Sequence, residues 1–392
     1  MYEAALMALR LAILTHEYYP VLSGGTVFTE KMAEELTRLG YDVEILTARI
    51  GKDQPLVETA SGFRVLRFPT ARRSVSDSTL LEHLGYFGFG TPQMIRRALG
   101  QRYDLLFSVF AIPSGLMALG IAKALGVPSV VFVDAADCPG VESAMKSYVR
   151  HLTKLFGFVV NRSDGVVVLD GLQDLALPHI QHDRTTIIPN GTTLPERVAE
   201  PGSHGSTLEL LSIGRLVLRK GFGEILAALG LVREKRSDFR LKIVGYGRAE
   251  DEIRRVLDAH RIADNVEFVG RVEYSKLAPY YLGADAYLFY GDREGSSLAM
   301  IEAAAHGLPL VVSDHPGNRT YVEHGRSGLL VEHKNPRALA DAILHLLENR
   351  GALAQMGAES RAIAERYTWR RIAERYDEFF REILSRRGRG QP

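Results

Sequence analysis

The feature that most constrains the fold is a pattern that stops and then starts again. Short apolar runs at residues 11–15, 43–47, 63–68, 105–110, 129–133 and 166–169 are separated by helix-forming stretches. After a polar segment at 190–206, rich in glycine and proline, the alternation resumes at 208–213, 241–244, 266–269, 286–289 and 310–312. Most of these runs are continuously apolar rather than alternating, as strands covered on both faces must be. Parallel strands joined by helices provide that cover. The chain therefore reads as two successive doubly wound α/β domains with 190–206 as the linker, and its 392 residues suit two domains of ordinary size. The last apolar helix, 369–384, carries Ile372, Tyr376, Phe379, Phe380 and Ile383 on one face.

Composition removes several classes. At 46% hydrophobic and 24% charged, the chain is neither disordered nor collagenous. A single cysteine, Cys138, cannot form an internal disulfide, so a reducing, cytoplasmic setting is expected. With 48 basic and 47 acidic side chains there is no global charge reason to expect nucleic-acid binding. No basic region precedes an apolar stretch near residue 1, so no secretory signal is expected. The longest apolar tract, 105–122, is interrupted by Pro113, Ser114 and Gly115, and reads as strand, turn and helix rather than as a membrane span.

In open α/β sheets ligands bind beyond the carboxyl ends of the strands, and the motifs lie there. Ser23-Gly24-Gly25-Thr26 follows the first run and leads into a helix expected from Phe28; it is either a tight turn or an anion cradle at a helix N-terminus. Gly214-Arg215 and Arg219-Lys220-Gly221 follow the first run of the second half. Arg215 and Lys220 form either a solvated basic loop or a pair that neutralises a leaving diphosphate without a metal. Val244-Gly245-Tyr246-Gly247 lacks the third glycine of a dinucleotide fingerprint, because position 250 is Glu250, so NAD and FAD are not expected. Finally, Glu294 and Glu302 stand eight positions apart around Gly295-Ser296-Ser297-Leu298. A helix starting near Ser296 or Ser297 would put Glu302 about two turns in and aim its N-terminal N–H groups at a diphosphate. The two carboxylates suit hydroxyls of a sugar and of a ribose. The bland reading is a helix-start acid and a paired helical glutamate.

These residues resemble the retaining glycosyltransferases of family 4, with the GT-B fold, over nearly the whole chain. Glu294 and Glu302 match that family's E-x7-E motif, Arg215 and Lys220 its phosphate-gripping pair, and Gly24-Gly25 its N-domain glycine loop. Ile188-Pro189-Asn190-Gly191 is similar to its domain junction, and the segment ending in Arg271-Val272 to the stretch whose backbone reads the base. The resemblance implies two Rossmann-like domains facing across a cleft: an acceptor-binding domain at 1–190, a donor-binding domain at 205–369, and a helix at 370–385 crossing back to the N-domain. Tyr367-Thr368-Trp369 resembles the step before that helix. One departure is clear. Where many members carry His-Gly-x-Asp, this chain reads Asp134-Ala135-Ala136-Asp137, so Asp134 stands in the histidine's place. Asp134 and Asp137 are the candidates for acceptor contact, and Asp137 reads equally as a helix N-cap.

The resemblance further implies transfer of a hexose from a UDP- or GDP-sugar to an acceptor hydroxyl, with retained configuration and no cofactor or metal. Glu294, Arg215, Lys220 and Asp137 would be its catalytic residues. Gly24, Gly25, Gly214, Gly245, Arg271, Val272, Gly295, Ser296, Ser297, Leu298 and Glu302 would complete the donor site. From Ser61 to Ser163 the chain has 12 Lys and Arg against 6 Asp and Glu, among them Arg72, Arg73, Arg96, Arg97, Arg102, Lys146, Arg150 and Lys154, interleaved with Tyr86, Phe87, Phe89, Tyr148, Phe156 and Phe158. Such a face suits either solvation or docking on an anionic membrane, and hence a lipid-linked or cell-surface glycan acceptor and a peripheral place on the inner membrane face. Three other readings stay open: an epimerase of the same fold, a phosphorylase carrying pyridoxal phosphate, and a non-catalytic nucleotide-sugar-binding subunit.

Overall fold

The computed structural model describes residues 8–21, 23–70, 88, 90–141, 149–203, 205–292 and 295–388. They form two compact units, divided after Asn190 and again after Thr368. Each unit is built on one parallel sheet with helices packed against it, as two Rossmann-like domains require.

The first unit holds eight strands: β1 Arg10–Leu14, β2 Asp42–Arg49, β3 Val57–Ala60, β4 Phe63–Pro69, β5 Leu105–Val109, β6 Ser129–Val133, β7 Gly165–Leu169 and β8 Thr185–Ile188. Their order is β3-β4-β2-β1-β5-β6-β7-β8, with only β3 antiparallel to its neighbour. The second unit holds six: β9 Leu208–Ile213, β10 Phe239–Val244, β11 Val266–Gly270, β12 Ala286–Phe289, β13 Leu310–Ser313 and β14 Gly328–Val331. Their order, β11-β10-β9-β12-β13-β14, is all parallel. In both sheets the order reverses beside the first strand, and the crevice there is where such sheets bind ligands.

Three strands escape a reading of apolar runs. β3 (Val-Glu-Thr-Ala) is an exposed edge strand, while β8 and β14 are four residues long and open with threonines or a glycine. Glu44, in the middle of β2, is 1% exposed, held by Arg64 at 2.8 Å and Arg97 at 3.0 Å and by the Tyr103 hydroxyl. A buried carboxylate survives only with such partners.

The segment expected to be a linker is folded onto the second unit. Thr192 N–H donates to Tyr367 O at 2.9 Å, Ala199 N–H to His306 O at 2.7 Å, and Gly202 N–H to the buried Asp285 carboxylate at 2.6 Å. Backbone hydrogen bonds do there what apolar side chains do elsewhere.

The C-terminal helix, Trp369–Gly388, is part of the first unit. Its apolar positions Ile372, Tyr376, Phe379, Phe380 and Ile383 are all buried. Phe380 is fully buried, with ring centroids 5.3 Å from Phe107 and 5.8 Å from Tyr376. Phe380→Ala is therefore expected to destabilise the protein by about 3–5 kcal/mol. Leu99→Ala, at a side chain 63% exposed, should cost less than about 0.5 kcal/mol; urea titrations of the two variants and the wild type check both values.

Candidate functional site

In the second unit the order reverses between β9 and β12, so the loops following these strands flank one crevice. The loop after β9 is pinned by its neighbour: Gly214 N–H donates to Val244 O at 3.0 Å and Leu216 N–H to Tyr246 O at 2.9 Å. Gly245 has φ +148°, and a Cβ there would lie 1.9 Å from the Gly214 carbonyl oxygen. Only glycine permits this approach, so Gly245 shapes the Gly214 loop from behind. Lys220 ends a short turn, Leu218–Lys220, before the helix Phe222–Arg233. Its ammonium lies 5.3 Å from the centroid of Phe289, the last residue of β12. Asp292 N–H donates to Arg219 O at 2.8 Å, tying the loop after β12 to the same turn. Lys220 and the β12 loop thus meet across the reversal point, with Arg215 exposed beside them.

Beyond β12 the helix Leu298–Ala305 starts from Ser297, whose extended backbone is the cap. Met300 and Ile301 N–H both reach Ser297 O, at 3.0 and 3.1 Å. The N–H groups of Leu298 and Ala299 therefore point out of the helix start, which favours an anion there. Ser296 and Ser297 are buried, and the Tyr321 hydroxyl reaches Ser296 Oγ at 3.4 Å. Glu302 is the fifth residue of this helix, nearer its start than the expected two turns, because the helix begins at Leu298. Glu294 and Arg293 lie outside the described residues.

The Glu302 carboxylate, in a residue 9% exposed, is held on both oxygens. The Tyr274 hydroxyl donates to Oε1 at 2.7 Å and the Tyr281 hydroxyl to Oε2 at 2.9 Å. Burial, then the Glu302 charge, pushes the Tyr281 phenol far above its ordinary range, so it remains an O–H donor. His306 stacks on Tyr281 at 4.5 Å, and burial lowers its pKa. As neutral imidazole it donates from Nδ1 to Glu302 O at 2.7 Å. Sequence reasoning missed Tyr274 and Tyr281. Arg271, on the same loop as Tyr274, places its guanidinium 5.2 Å from the Tyr246 ring, and Val272 packs half-buried against the core.

In the first unit the reversal lies between β1 and β5. The helix expected from Phe28 begins at Gly24, because Ser23 caps it: Thr26 N–H donates to Ser23 Oγ at 3.1 Å. Gly24 and Gly25 are thus its first turn. A Cβ on Gly25 would lie 2.5 Å from the Phe110 ring, which packs against this turn from the end of β5. His16, just after β1, was also missed; it is 8% exposed, with Nδ1 3.3 Å from Ser114 Oγ and its ring 5.0 Å from Phe110.

Residues 138–141, just after Asp137, form turns, and 142–148 lie outside the described residues. The Asp137 carboxylate accepts N–H from Ala111, from Ile112 at 3.3 Å and from Asp134 at 3.3 Å, so it organises the loop after β5. Part of the residue reaches solvent, yet the packing around the carboxyl outweighs these donors and pushes its pKa from 3.8 up to about 8. Asp134 is half-buried beside it and takes Ala135 N–H at 2.7 Å. Cys138 is buried, and burial pushes its thiol up to about 12, which makes it unreactive.

The basic face expected at 61–163 is described only in part: Arg96, Arg102 and Lys154 are exposed. Arg97 is tied to Glu44 and Phe156 is core, while Phe158 is 43% exposed with Arg162 4.2 Å from its ring centroid. Arg72, Arg73, Tyr86, Phe87, Phe89, Lys146 and Tyr148 lie outside the described residues. Among the described residues no helix is long and apolar enough to cross a membrane.

Two family models match the chain, "Glycosyl transferases group 1" at residues 196–363 and "Glycosyl transferase 4-like domain" at 23–191. A D-inositol 3-phosphate glycosyltransferase of Thermobispora bispora is 28% identical over 395 residues, covering 94% of this chain and 92% of that protein. An uncharacterized glycosyltransferase of Haemophilus influenzae is 33% identical over 168 residues, which is 43% of this chain and 47% of that protein, so the match spans about half its length. Among solved structures, sucrose-phosphate synthase of Thermosynechococcus elongatus superposes with a TM-score of 0.82 at 20% identity, over 96% of this chain and 99% of that one. HepE of Anabaena in complex with UDP-glucose gives 0.75 at 16% identity, over 95% and 100%. At these identities the superpositions establish the fold.

The raised Asp137 pKa has a consequence for stability. Between 3.8 and about 8 the folded protein holds a proton that the unfolded chain has released. This contribution is full below the unfolded value and is lost as pH rises to the folded one. The stability of the wild type relative to Asp137→Asn should therefore fall between about pH 4 and pH 8 and level off above, in thermal melts at constant ionic strength. Parallel profiles would show that the carboxyl stays ionised.

Proposed function

Because the chain belongs to the group 1 glycosyl transferases and is an enzyme of that kind, we propose that it transfers a hexose from a UDP- or GDP-sugar to a hydroxyl of a glycan or lipid-linked acceptor, with retained configuration. The observation that carries this reading is the convergence at the β9–β12 reversal. A cationic turn is held there against Phe289, a helix N-terminus opens nearby, and a carboxylate is fixed by two phenols. Together these supply groups for a diphosphate and for a ribose.

In this reading the second unit holds the donor. Arg215 forks onto phosphate oxygens, Lys220 adds a point charge, and the N–H groups of Leu298 and Ala299 complete the anion site. Glu302 takes the ribose hydroxyls and Glu294 the sugar hydroxyls. The bond from the anomeric carbon to the phosphate oxygen breaks, and its electron pair stays on the diphosphate. The acceptor oxygen bonds that carbon from the same face, and its proton passes to the leaving phosphate oxygen. The two cations and the helix N-terminus stabilise the developing charge, so no divalent metal is required. The acceptor is read by the first unit around Asp134, on a loop that Asp137 positions. HepE, whose structure holds UDP-glucose, makes UDP-glucose the first donor to try.

The experiment is a transfer assay on purified protein with UDP- and GDP-hexoses and a panel of glycan acceptors. Turnover is expected to persist in EDTA. Arg215→Ala and Lys220→Ala should each lower kcat by about 10²–10³-fold, and Glu294→Ala should abolish transfer. Near wild-type turnover in Glu294→Ala would sink the assignment, and loss of activity in EDTA restored by magnesium would sink the metal-free mechanism.

A further inference from the structure

We propose that Tyr274 is a positioning residue for ribose recognition, through which the loop after β11 sets the orientation of the Glu302 carboxylate. The inference rests on the reading above that the second unit binds a nucleoside diphosphate.

Two phenols, seven residues apart in the connection between β11 and β12, hold Glu302. Tyr281, 1% exposed, belongs to the short helix Ala278–Leu282 and reaches Oε2 at 2.9 Å. Tyr274 opens the turn Tyr274–Lys276 and reaches Oε1 at 2.7 Å. The terminal torsion of a glutamate is broad, so one hydrogen bond leaves the carboxylate plane free to swing about the tethered oxygen. A second bond to the other oxygen fixes the plane. The lone pairs not used by the phenols then have set directions, as two adjacent hydroxyls of one ribose require of a single acceptor. Both bonds join a neutral donor to a charged acceptor, the stronger kind.

The two tyrosines are not equivalent. Tyr281 is core, packed between Tyr287 and His306. Tyr274 is only half-buried and follows Arg271, Val272 and Glu273 directly. Arg271 in turn lies against Tyr246 of the loop after β10. The Tyr274 hydroxyl thus joins a loop flanking the nucleotide site to the helix that carries Glu302. Selection for an intact ribose diol follows from that single bond.

The test is isothermal titration of UDP, GDP and ADP into the wild type, then of the tightest binder and its 2′,3′-dideoxy analogue into wild type, Tyr274→Phe and Glu302→Gln. Tyr274→Phe removes one oxygen and leaves the ring. The wild type is expected to prefer the ribose form by about 10-fold or more, the worth of a hydrogen bond to a charged group. Tyr274→Phe should keep its affinity for the dideoxy analogue and lose most of that preference, as should Glu302→Gln. An undiminished preference in Tyr274→Phe would overturn the proposal. So would an equal loss of affinity for both nucleotides, the mark of a merely structural role, or a gain for the ribose form, which would mean that the hydroxyl competes with the ligand. Failure of the wild type to bind any of the three would bring down the donor reading and this inference with it, whereas a wild type that discriminates beside a variant that does so equally well removes Tyr274 alone.

Discussion

Everything the second unit offers chemically depends on a reversal in strand order. β9 lies at the middle of its sheet, with β10 and β11 laid down on one side and β12 to β14 on the other. The connections leave β9 and β12 in opposite directions, so no helix crosses between their carboxyl ends and a crevice remains. The loops that flank it carry Arg215, Lys220 and the start of the helix Leu298–Ala305. The contact of the Lys220 ammonium with the Phe289 ring joins the two sides. The first unit repeats the plan at β1 and β5, where Gly25 packs against Phe110 and Asp137 holds the backbone of Ala111 and Ile112.

The two sites differ in what buried charge does. In the second unit Glu302 is buried and held on both oxygens by phenols, of which Tyr281 is pushed by burial far above its ordinary range. In the first, packing around the Asp137 carboxyl pushes its pKa up to about 8, and its oxygens accept backbone N–H groups. A carboxylate so placed shapes a loop. Asp134, beside it and half-buried, accepts the Ala135 N–H at 2.7 Å.

Much of this was legible in the residues. Continuous apolar runs identify eleven of the strands, and Arg215, Lys220 and Glu302 fall on the loops and helix beside the β9–β12 reversal, while Glu294 lies outside the described residues. The strands that were not legible are short or exposed, so burial wrote no apolar pattern into them. Glu44 was invisible for the opposite reason: its partners Arg64 and Arg97 are distant in sequence and meet it only once the sheet and helix have formed. Tyr274 and Tyr281 read as unremarkable aromatics, because nothing in their spacing says that both point at a carboxylate more than twenty positions on. Residue types disclose which chemistry is available, and the packing decides which side chains share it.

The central claim is that a nucleoside diphosphate lies at the β9–β12 reversal, with its phosphates on the cationic turn and its ribose on Glu302. A crystal structure of the protein with UDP bound tests this most directly. The account predicts diphosphate oxygens within hydrogen-bonding distance of Arg215, Lys220 and the Leu298 and Ala299 N–H groups, and ribose hydroxyls on the Glu302 carboxylate. A diphosphate bound instead at the Gly24-Gly25 turn of the first unit, or held in the second through a bridging cation in place of Arg215 and Lys220, would contradict it.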